Sequence, residues 1–215
     1  MTNEAVGNIY LSGGGDEHAS YPLDRFFFER IPNGGALLYI PIALKGHRLF
    51  NGAENWFRGV MKLHLRHEDV VLETWNELNG KDFSNLKRFD AIYVGGGNTW
   101  NLMKDITESG FNKFLQKYIE EGGTYYGGSA GAIICGLRID TGKDENTVNW
   151  QDTGGMNMLN GLSVACHVKQ EKLGELEIMA KEKELRLLAL AEDAGAIING
   201  STHTCVGEGV CREFA

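Results

Sequence analysis

Ser129 lies in the segment GGSAG (residues 127–131), which fits the pattern G-x-S-x-G. A serine in this pattern can occupy a strained turn between a strand and a helix, where only small residues fit two positions away on either side. An apolar run precedes the segment, and a helix-compatible run follows it. The pattern therefore favours Ser129 as a nucleophile, with a plain glycine-rich turn as the alternative.

A second glycine cluster can supply donors for the same chemistry. The oxyanion of an acyl-transfer intermediate needs two N–H donors, one of which is usually the amide after the nucleophile, here Ala130. The segment GGGNT (residues 95–99) follows another apolar run and can supply the second donor. It does not match the GxGxxG fingerprint, so we expect no dinucleotide cofactor.

The base that activates such a serine is most often a histidine. His167 is the best candidate because it stands near the end of the apolar run LSVACHV, with a satisfied core histidine as the alternative. His18, after the first glycine cluster, could line the site. The other histidines do not stand at the end of an apolar run or beside a glycine cluster; they are His47, His64, His67 and His203.

Strands and helices alternate along the chain. The apolar patterns predict strands over residues 8–12, 36–44, 70–75, 90–94, 124–126 and 162–168, and short strands after residue 196. They predict helices over residues 23–31, 55–65, 99–106, 110–121, 130–137 and 171–191, with a loop over residues 138–160. This alternation predicts a three-layer α/β/α fold with a mostly parallel central sheet. Active sites of such sheets lie at the carboxyl ends of the strands, where all three glycine clusters (13–15, 95–97 and 127–128) are expected.

Composition narrows the class of protein. The 215 residues carry a formal net charge of −8 without acidic blocks, which argues against nucleic acid and anionic membranes as partners. The length and the lack of linkers predict one domain over residues 1–215. The four cysteines show neither CxxC nor zinc-type spacing, so we expect free thiols, a cytoplasmic location and no metal site. No signal peptide or membrane-spanning run is recognised.

Taken together, GGGNT and GGSAGA on successive strands resemble the peptidase E (S51) family, whose wider group includes cyanophycinases. The resemblance covers most of the chain and implies a fold similar to class I glutamine amidotransferases, which is flavodoxin-like. It implies Ser129 as nucleophile, His167 as general base, and the amides of Gly97 and Ala130 as the oxyanion hole. It also implies an acidic third member after the predicted helix 171–191, where Asp193 aligns best and the neighbouring Glu192 stays open.

The resemblance implies hydrolysis of small peptides, including dipeptides with N-terminal Asp, without a cofactor. The residues expected to contact substrate are Gly96, Asn98, Gly128 and Lys169. An aspartyl substrate needs a basic partner, and here no arginine follows His167 until Arg186, so Lys169 is the candidate cation. Two alternatives remain: a related amide hydrolase that acts, for example, on a β-linked aspartyl polymer, or a non-catalytic binding protein of the same fold. The chain is expected to be a monomer or a homodimer.

Overall fold

A computed structural model describes residues 8–65 and 69–215 of the chain. Within these residues the strands are Ile9–Ser12 (β1), Ala36–Ile40 (β2), Val71–Thr74 (β3), Ala91–Val94 (β4), Thr124–Gly128 (β5), Leu162–Ala165 (β6), Arg186–Leu190 (β7), Ala194–Asn199 (β8), Thr202–Gly207 (β9) and Cys211–Phe214 (β10). The α-helices of the same residues are Tyr21–Phe28 (α1), Ala53–His64 (α2), Phe83–Leu86 (α3), Thr99–Glu108 (α4), Phe111–Glu120 (α5), Ala130–Ile133 (α6) and Leu173–Glu182 (α7). None of the described helices has the length and apolar character needed to cross a membrane.

A seven-stranded sheet in the order β3-β2-β4-β5-β1-β8-β9 forms the centre of the fold. The five strands from β3 to β1 run parallel, and β8 and β9 add an antiparallel edge. A smaller sheet in the order β10-β7-β6 carries the C-terminal part of the chain. The sheet confirms the predicted mixed α/β, flavodoxin-like fold with a mostly parallel sheet.

Apolar side chains cover both faces of the large sheet, because successive strand residues point to opposite sides. On one face, Phe27 of α1 and Phe57 of α2 pack with Tyr93 and Tyr126. On the other face, residues of α4, α5 and α6 pack with Ile92 and other strand residues. The helices therefore form two layers that enclose the sheet and leave its carboxyl edge open.

The predicted helix over residues 171–191 is wrong in its second half. Helix α7 ends at Glu182, and β7 begins at Arg186, where the chain enters the smaller sheet beside β6. Leucine and alanine suit a helix by propensity, but four of the five β7 residues are buried. Burial on both faces of a sheet decided between the two structures, and periodicity alone could not.

Several other boundaries differ from the predictions. The strand predicted over residues 36–44 stops at Ile40, because Pro41 follows it and a 3-10 turn occupies Ile42–Leu44. The helix predicted over residues 130–137 is only the four residues of α6. Helix α3 was not predicted; Asp82 caps it through a reciprocal hydrogen-bond pair with Asn85.

The prediction of four free thiols is also wrong. Cys205 on β9 and Cys211 on β10 form a disulfide, whereas Cys135 and Cys166 are free and buried. The turn between β9 and β10 brings the pair together, with their Cα atoms 5.9 Å apart, and no spacing motif announces this contact. The argument for a reducing compartment that rested on free thiols therefore no longer holds.

Candidate active site

Ser129 lies between β5 and α6 in a backbone conformation that non-glycine residues rarely adopt, with φ 48° and ψ −106°. The tight turn leaves no space for side chains around it. A Cβ on Gly127 would stand 2.4 Å from the carbonyl oxygen of Gly131, and a Cβ on Gly131 would stand 2.4 Å from that of Val94. The serine is therefore presented by a strained turn that two glycines make possible.

The side chains of Ser129 and His167 are in direct contact. The Ser129 Oγ atom lies 2.7 Å from His167 Nε2. His167 follows β6 and also has a positive φ of 55°. Gly14 packs against both residues, since a Cβ on it would lie 2.6 Å from His167 Nε2 and 2.8 Å from Ser129 Cβ. The first glycine cluster thus leaves room for the imidazole to reach the serine.

The carboxylate beside the imidazole belongs to Glu192, not to Asp193. Glu192 Oε1 lies 2.8 Å from His167 Nδ1. The Asp193 carboxylate instead lies next to Gly209, where a Cβ would come within 1.8 Å of Asp193 Oδ1. These two residues form the turn between β7 and β8, so their side chains point in different directions, and the alignment that preferred Asp193 is overturned in favour of the alternative, Glu192.

The two amides proposed as an oxyanion hole are both free. Within the described part of the chain, neither Gly97 nor Ala130 donates its N–H to another group. Gly97 has a φ of 141° and lies so close to Ala43 that a Cβ would stand 2.3 Å from the Ala43 carbonyl oxygen. Gly96 lies nearer to Ser129, since a Cβ on it would stand 3.2 Å from Ser129 Cβ. The glycine cluster after β4 therefore borders Ser129, and the N–H of its third glycine, Gly97, is free to bind a ligand.

Two of the predicted substrate contacts lie elsewhere. Asn98 caps α4: its side chain accepts a hydrogen bond from the Asn101 amide and donates one to the Glu145 carbonyl oxygen. Lys169 is exposed at the start of a 3-10 turn and does not line the cavity at Ser129. The Asn98 side chain therefore holds the segment at Glu145, and Lys169 is exposed to solvent.

A cavity of about 570 Å³ opens in front of Ser129 and His167. Gly96, Gly97 and Gly128 form the part of its wall beside the serine. Two charged residues that sequence reasoning missed also line it, Arg48 and Asp144. Asp144 accepts hydrogen bonds from the amide and hydroxyl of Thr99, and Arg48 forms no ion pair within the described residues. Both come from irregular segments without a motif, so only their position in the fold reveals them.

Other reactive groups nearby are poorly placed for chemistry. Burial raises the pKa of the Cys166 thiol far above its usual value, so this residue stays a protonated thiol beneath Ser129. Among the described residues, one group of potential metal ligands comes together, formed by His203, Cys205 and Cys211. Its two sulfur atoms are joined in the disulfide, and the group lies outside the cavity lining.

A parallel α/β sheet that presents a serine on a tight turn, in contact with a histidine, defines a class of α/β proteins with a nucleophile elbow. Within this class, the profile of peptidase family S51 matches residues 9–206, and the chain belongs to that family.

Relatives of known name are consistent with this assignment. The chain is 32% identical to an uncharacterized peptidase of Listeria monocytogenes over 112 residues, which cover 52% of this chain and 54% of the relative. It is 24% identical to peptidase E of Streptomyces coelicolor over 194 residues, covering 86% of this chain and 76% of the relative. The match to the Listeria relative thus spans only about half of that protein's length.

Solved structures show the same fold. A crystal structure of a Listeria monocytogenes EGD-e protein assigned to peptidase E superposes with a TM-score of 0.72 at 20% identity, covering 94% of this chain and 99% of the other. At this identity the similarity supports the fold alone.

Proposed function

We propose that this chain is a serine peptidase that hydrolyses small peptides through a covalent acyl-enzyme on Ser129. The observation that carries the proposal is the continuous line of contacts from Ser129 Oγ to His167 and from His167 to Glu192. A nucleophile, a base and a group that orients the base are the three parts of a serine hydrolase triad. The strained backbone at Ser129 supports the same role, because such strain concentrates at functional sites.

In the proposed reaction, His167 Nε2 accepts the proton of Ser129 Oγ as the oxygen attacks the scissile carbonyl. Glu192 accepts a hydrogen bond from the Nδ1–H of the imidazole, which fixes the tautomer and stabilises the imidazolium. The free amides of Gly97 and Ala130 donate to the oxyanion. His167 then protonates the leaving amine, and a water activated by the same imidazole hydrolyses the ester.

The charges in the cavity support short, unblocked peptides as substrates. A dipeptide carries one ammonium and one carboxylate, and the cavity offers one carboxylate, Asp144, and one guanidinium, Arg48. Its volume of about 570 Å³ lies in the range of small-ligand sites.

A preference for N-terminal Asp is the second candidate, and Arg48 favours it. Lys169 does not line the cavity, whereas the Arg48 guanidinium does and can face a substrate carboxylate. A panel of Asp-Leu, Glu-Leu, Ala-Leu and Phe-Leu tests this preference directly. If Asp-Leu is not cleaved faster than Ala-Leu, the aspartyl specificity is excluded while the peptidase proposal stands.

The Ser129→Ala variant tests the proposal itself. Because the nucleophile is removed, we expect hydrolysis to fall by a factor on the order of 10³ or more, with an unchanged unfolding midpoint in urea. A fluorophosphonate reagent should label the wild-type protein at Ser129, mapped by peptide mass spectrometry, and should not label the variant. Equal activity in the two proteins, or labelling at a different residue, would contradict the assignment. A wild type that is labelled at Ser129 but cleaves no peptide would favour the related amide hydrolase, whereas a wild type that is neither labelled nor active would favour the non-catalytic alternative.

A further inference from the structure

The cavity spans both sides of Ser129: Ser12, Gly14 and His167 line it on the β1 side, and most of the other lining residues belong to or follow β2 and β4. In the strand order, β4 and β2 lie on one side of β5, and β1 lies on the other. Gly14, which follows β1, contacts His167, whereas Tyr93 of β4 and Tyr39 of β2 line the cavity. His167 must reach the leaving amine, so the leaving group lies on the β1 side. The acyl part of the substrate then points toward the two tyrosines.

Aromatic rings make this part of the cavity rigid. The Tyr39 ring stacks on Phe57 with centroids 4.2 Å apart, and the Tyr93 ring stacks on Tyr126 with centroids 4.3 Å apart. Tyr39 and Tyr93 are register partners on neighbouring strands and meet edge to face. Both rings are nearly inaccessible to solvent and are therefore held in place, and their hydroxyls lie close to Gly95 and Gly128 at the base of the cavity.

The opposite wall comes from the segment that leads into α2 and is apolar except for one charged residue. It is formed by Leu44, Leu49, Ala53 and Trp56, together with Arg48. Leu49 and Trp56 expose about half of their surface, at 54% and 42%. Binding of a ligand that covers these two large apolar side chains would be favourable, because it removes apolar surface from water.

Gly128 connects this apolar space to the nucleophile. Its side-chain position lies on the same face of the sheet as Tyr93, and a Cβ there would stand 3.6 Å from the Tyr93 hydroxyl. The backbone of Gly128 does not require glycine, because its φ is not positive. A variant with a larger side chain at this position is therefore expected to fold. Its new side chain would occupy the space between Ser129 and the tyrosines.

We propose that Gly128, Tyr39, Tyr93 and Trp56 form an acyl-side pocket that selects substrates with a bulky aromatic or aliphatic residue before the scissile bond. The proposal rests on the assignment of Ser129 as the nucleophile. An aspartate side chain could face Arg48 but would leave most of the apolar surface uncovered, whereas a phenylalanine side chain would bury against that surface, so this pocket competes with the aspartyl preference. Burial of a side chain of that size favours Phe over Ala by roughly 10- to 100-fold in kcat/KM.

The test compares kcat/KM for four substrates that differ only in the acyl residue: Phe-Leu, Leu-Leu, Ala-Leu and Asp-Leu. For the wild type we expect Phe-Leu and Leu-Leu to exceed Ala-Leu and Asp-Leu by about tenfold or more. In Gly128→Leu, the ratio of kcat/KM for Phe-Leu to that for Ala-Leu should fall by about tenfold or more, because the added side chain fills the pocket.

Two further variants keep the result interpretable. Gly128→Ala adds a Cβ at ordinary contact distances, so it folds and should lower the same ratio to a smaller degree. Gly174→Leu places the same new side chain on exposed α7, where a Cβ meets nothing within 4 Å, and should leave the ratio unchanged.

Failure of this pocket can be told from failure of the catalytic proposal. If fluorophosphonate labels Ser129 but Asp-Leu or Ala-Leu is the preferred substrate, the pocket proposal is overturned and the nucleophile stands. An unchanged substrate ratio in Gly128→Leu and Gly128→Ala also overturns the pocket. If Ser129 is not labelled and no peptide is cleaved, the proposed function fails, and the pocket proposal fails with it.

Discussion

At the scale of single residues, the site is marked by backbone strain as well as by side-chain contacts. Ser129 and His167 both have positive φ values, at 48° and 55°, although neither is a glycine. Such conformations cost on the order of 1–3 kcal/mol each and persist only where surrounding structure imposes them. Gly14, Gly127 and Gly131 create the space in which they persist.

The neighbouring acids Glu192 and Asp193 allow a matched test of the third position of the proposed triad. Only the Glu192 carboxylate contacts His167, so Glu192→Gln should lower kcat by about 100-fold or more by disturbing the imidazole's orientation and charge. Asp193→Asn, one position along the chain, should change kcat less than about threefold, a ΔΔG‡ below about 0.7 kcal/mol. Steady-state kinetics with one dipeptide measures both. A larger loss in Asp193→Asn than in Glu192→Gln would reverse the assignment.

At the scale of elements, the active site depends on how closely β5 and α6 approach β4. The approach is possible because Gly127 and Gly131 have no side chains. A Cβ on either residue would lie only 2.4 Å from a backbone carbonyl oxygen. Helix α6 is only four residues long, so the turn itself, not a long helix, holds Ser129. The smaller sheet positions the other two residues of the proposed triad, since His167 follows β6 and Glu192 follows β7.

Gly127→Ala tests the packing of this turn. The new Cβ would collide with the backbone of Gly131, which cannot move aside as a flexible side chain can. We expect the free energy of unfolding in urea to fall by about 1–3 kcal/mol. Gly59→Ala is the matched control, because a Cβ on this exposed residue of α2 meets nothing within 4 Å. It should leave stability equal or raise it by about 0.5–1 kcal/mol. Equal effects of both changes would show that the turn is not tightly packed.

At the scale of the whole molecule, a buried acid joins the helical layer to the sheet. Asp24 of α1 is 1% exposed and accepts hydrogen bonds from Ser20 and from Tyr126 of β5. His64 of α2 lies 3.7 Å from the same carboxylate. Burial raises the pKa of Asp24 from 3.8 to about 6, and burial lowers the pKa of His64.

This raised pKa predicts a pH-dependent stability. The folded protein binds a proton at Asp24 more tightly than the unfolded chain, so this contribution is present at pH 4 and is lost as the pH rises through about 6. Asparagine at this position cannot ionise. The free energy of unfolding of Asp24→Asn, taken relative to that of the wild type, should therefore rise by about 2–3 kcal/mol between pH 4 and pH 7.

Urea unfolding at pH 4, 5, 6 and 7 measures this difference. A Glu208→Gln variant, altered at an exposed acid, provides the background change with pH. A difference between Asp24→Asn and the wild type that stays constant across the range would contradict the buried-acid account.

The sequence by itself determined the parallel α/β fold and the place of Ser129 and His167 within it. The fold follows from continuous apolar strands alternating with helices, and the place of Ser129 follows from the GGSAG motif. His167 was the best candidate by its position near the end of an apolar run, and the resemblance to the S51 family gave it the role of base. Such signals are encoded within a few neighbouring residues, so they can be recognised without a partner segment.

Only the tertiary structure decided which acid meets the imidazole, which charges and rings line the cavity, and which cysteines pair. Glu192 and Asp193 are adjacent and both acidic, so the sequence does not distinguish them. Only the path of the turn after β7 directs one of them to His167. Arg48, Asp144 and the Cys205–Cys211 pair carry no local pattern. The residues 186–190 suit either a helix or a strand, and pairing with β6 settles the choice. These features depend on contacts between segments distant in sequence or on the path of a turn, and local residue patterns do not record either.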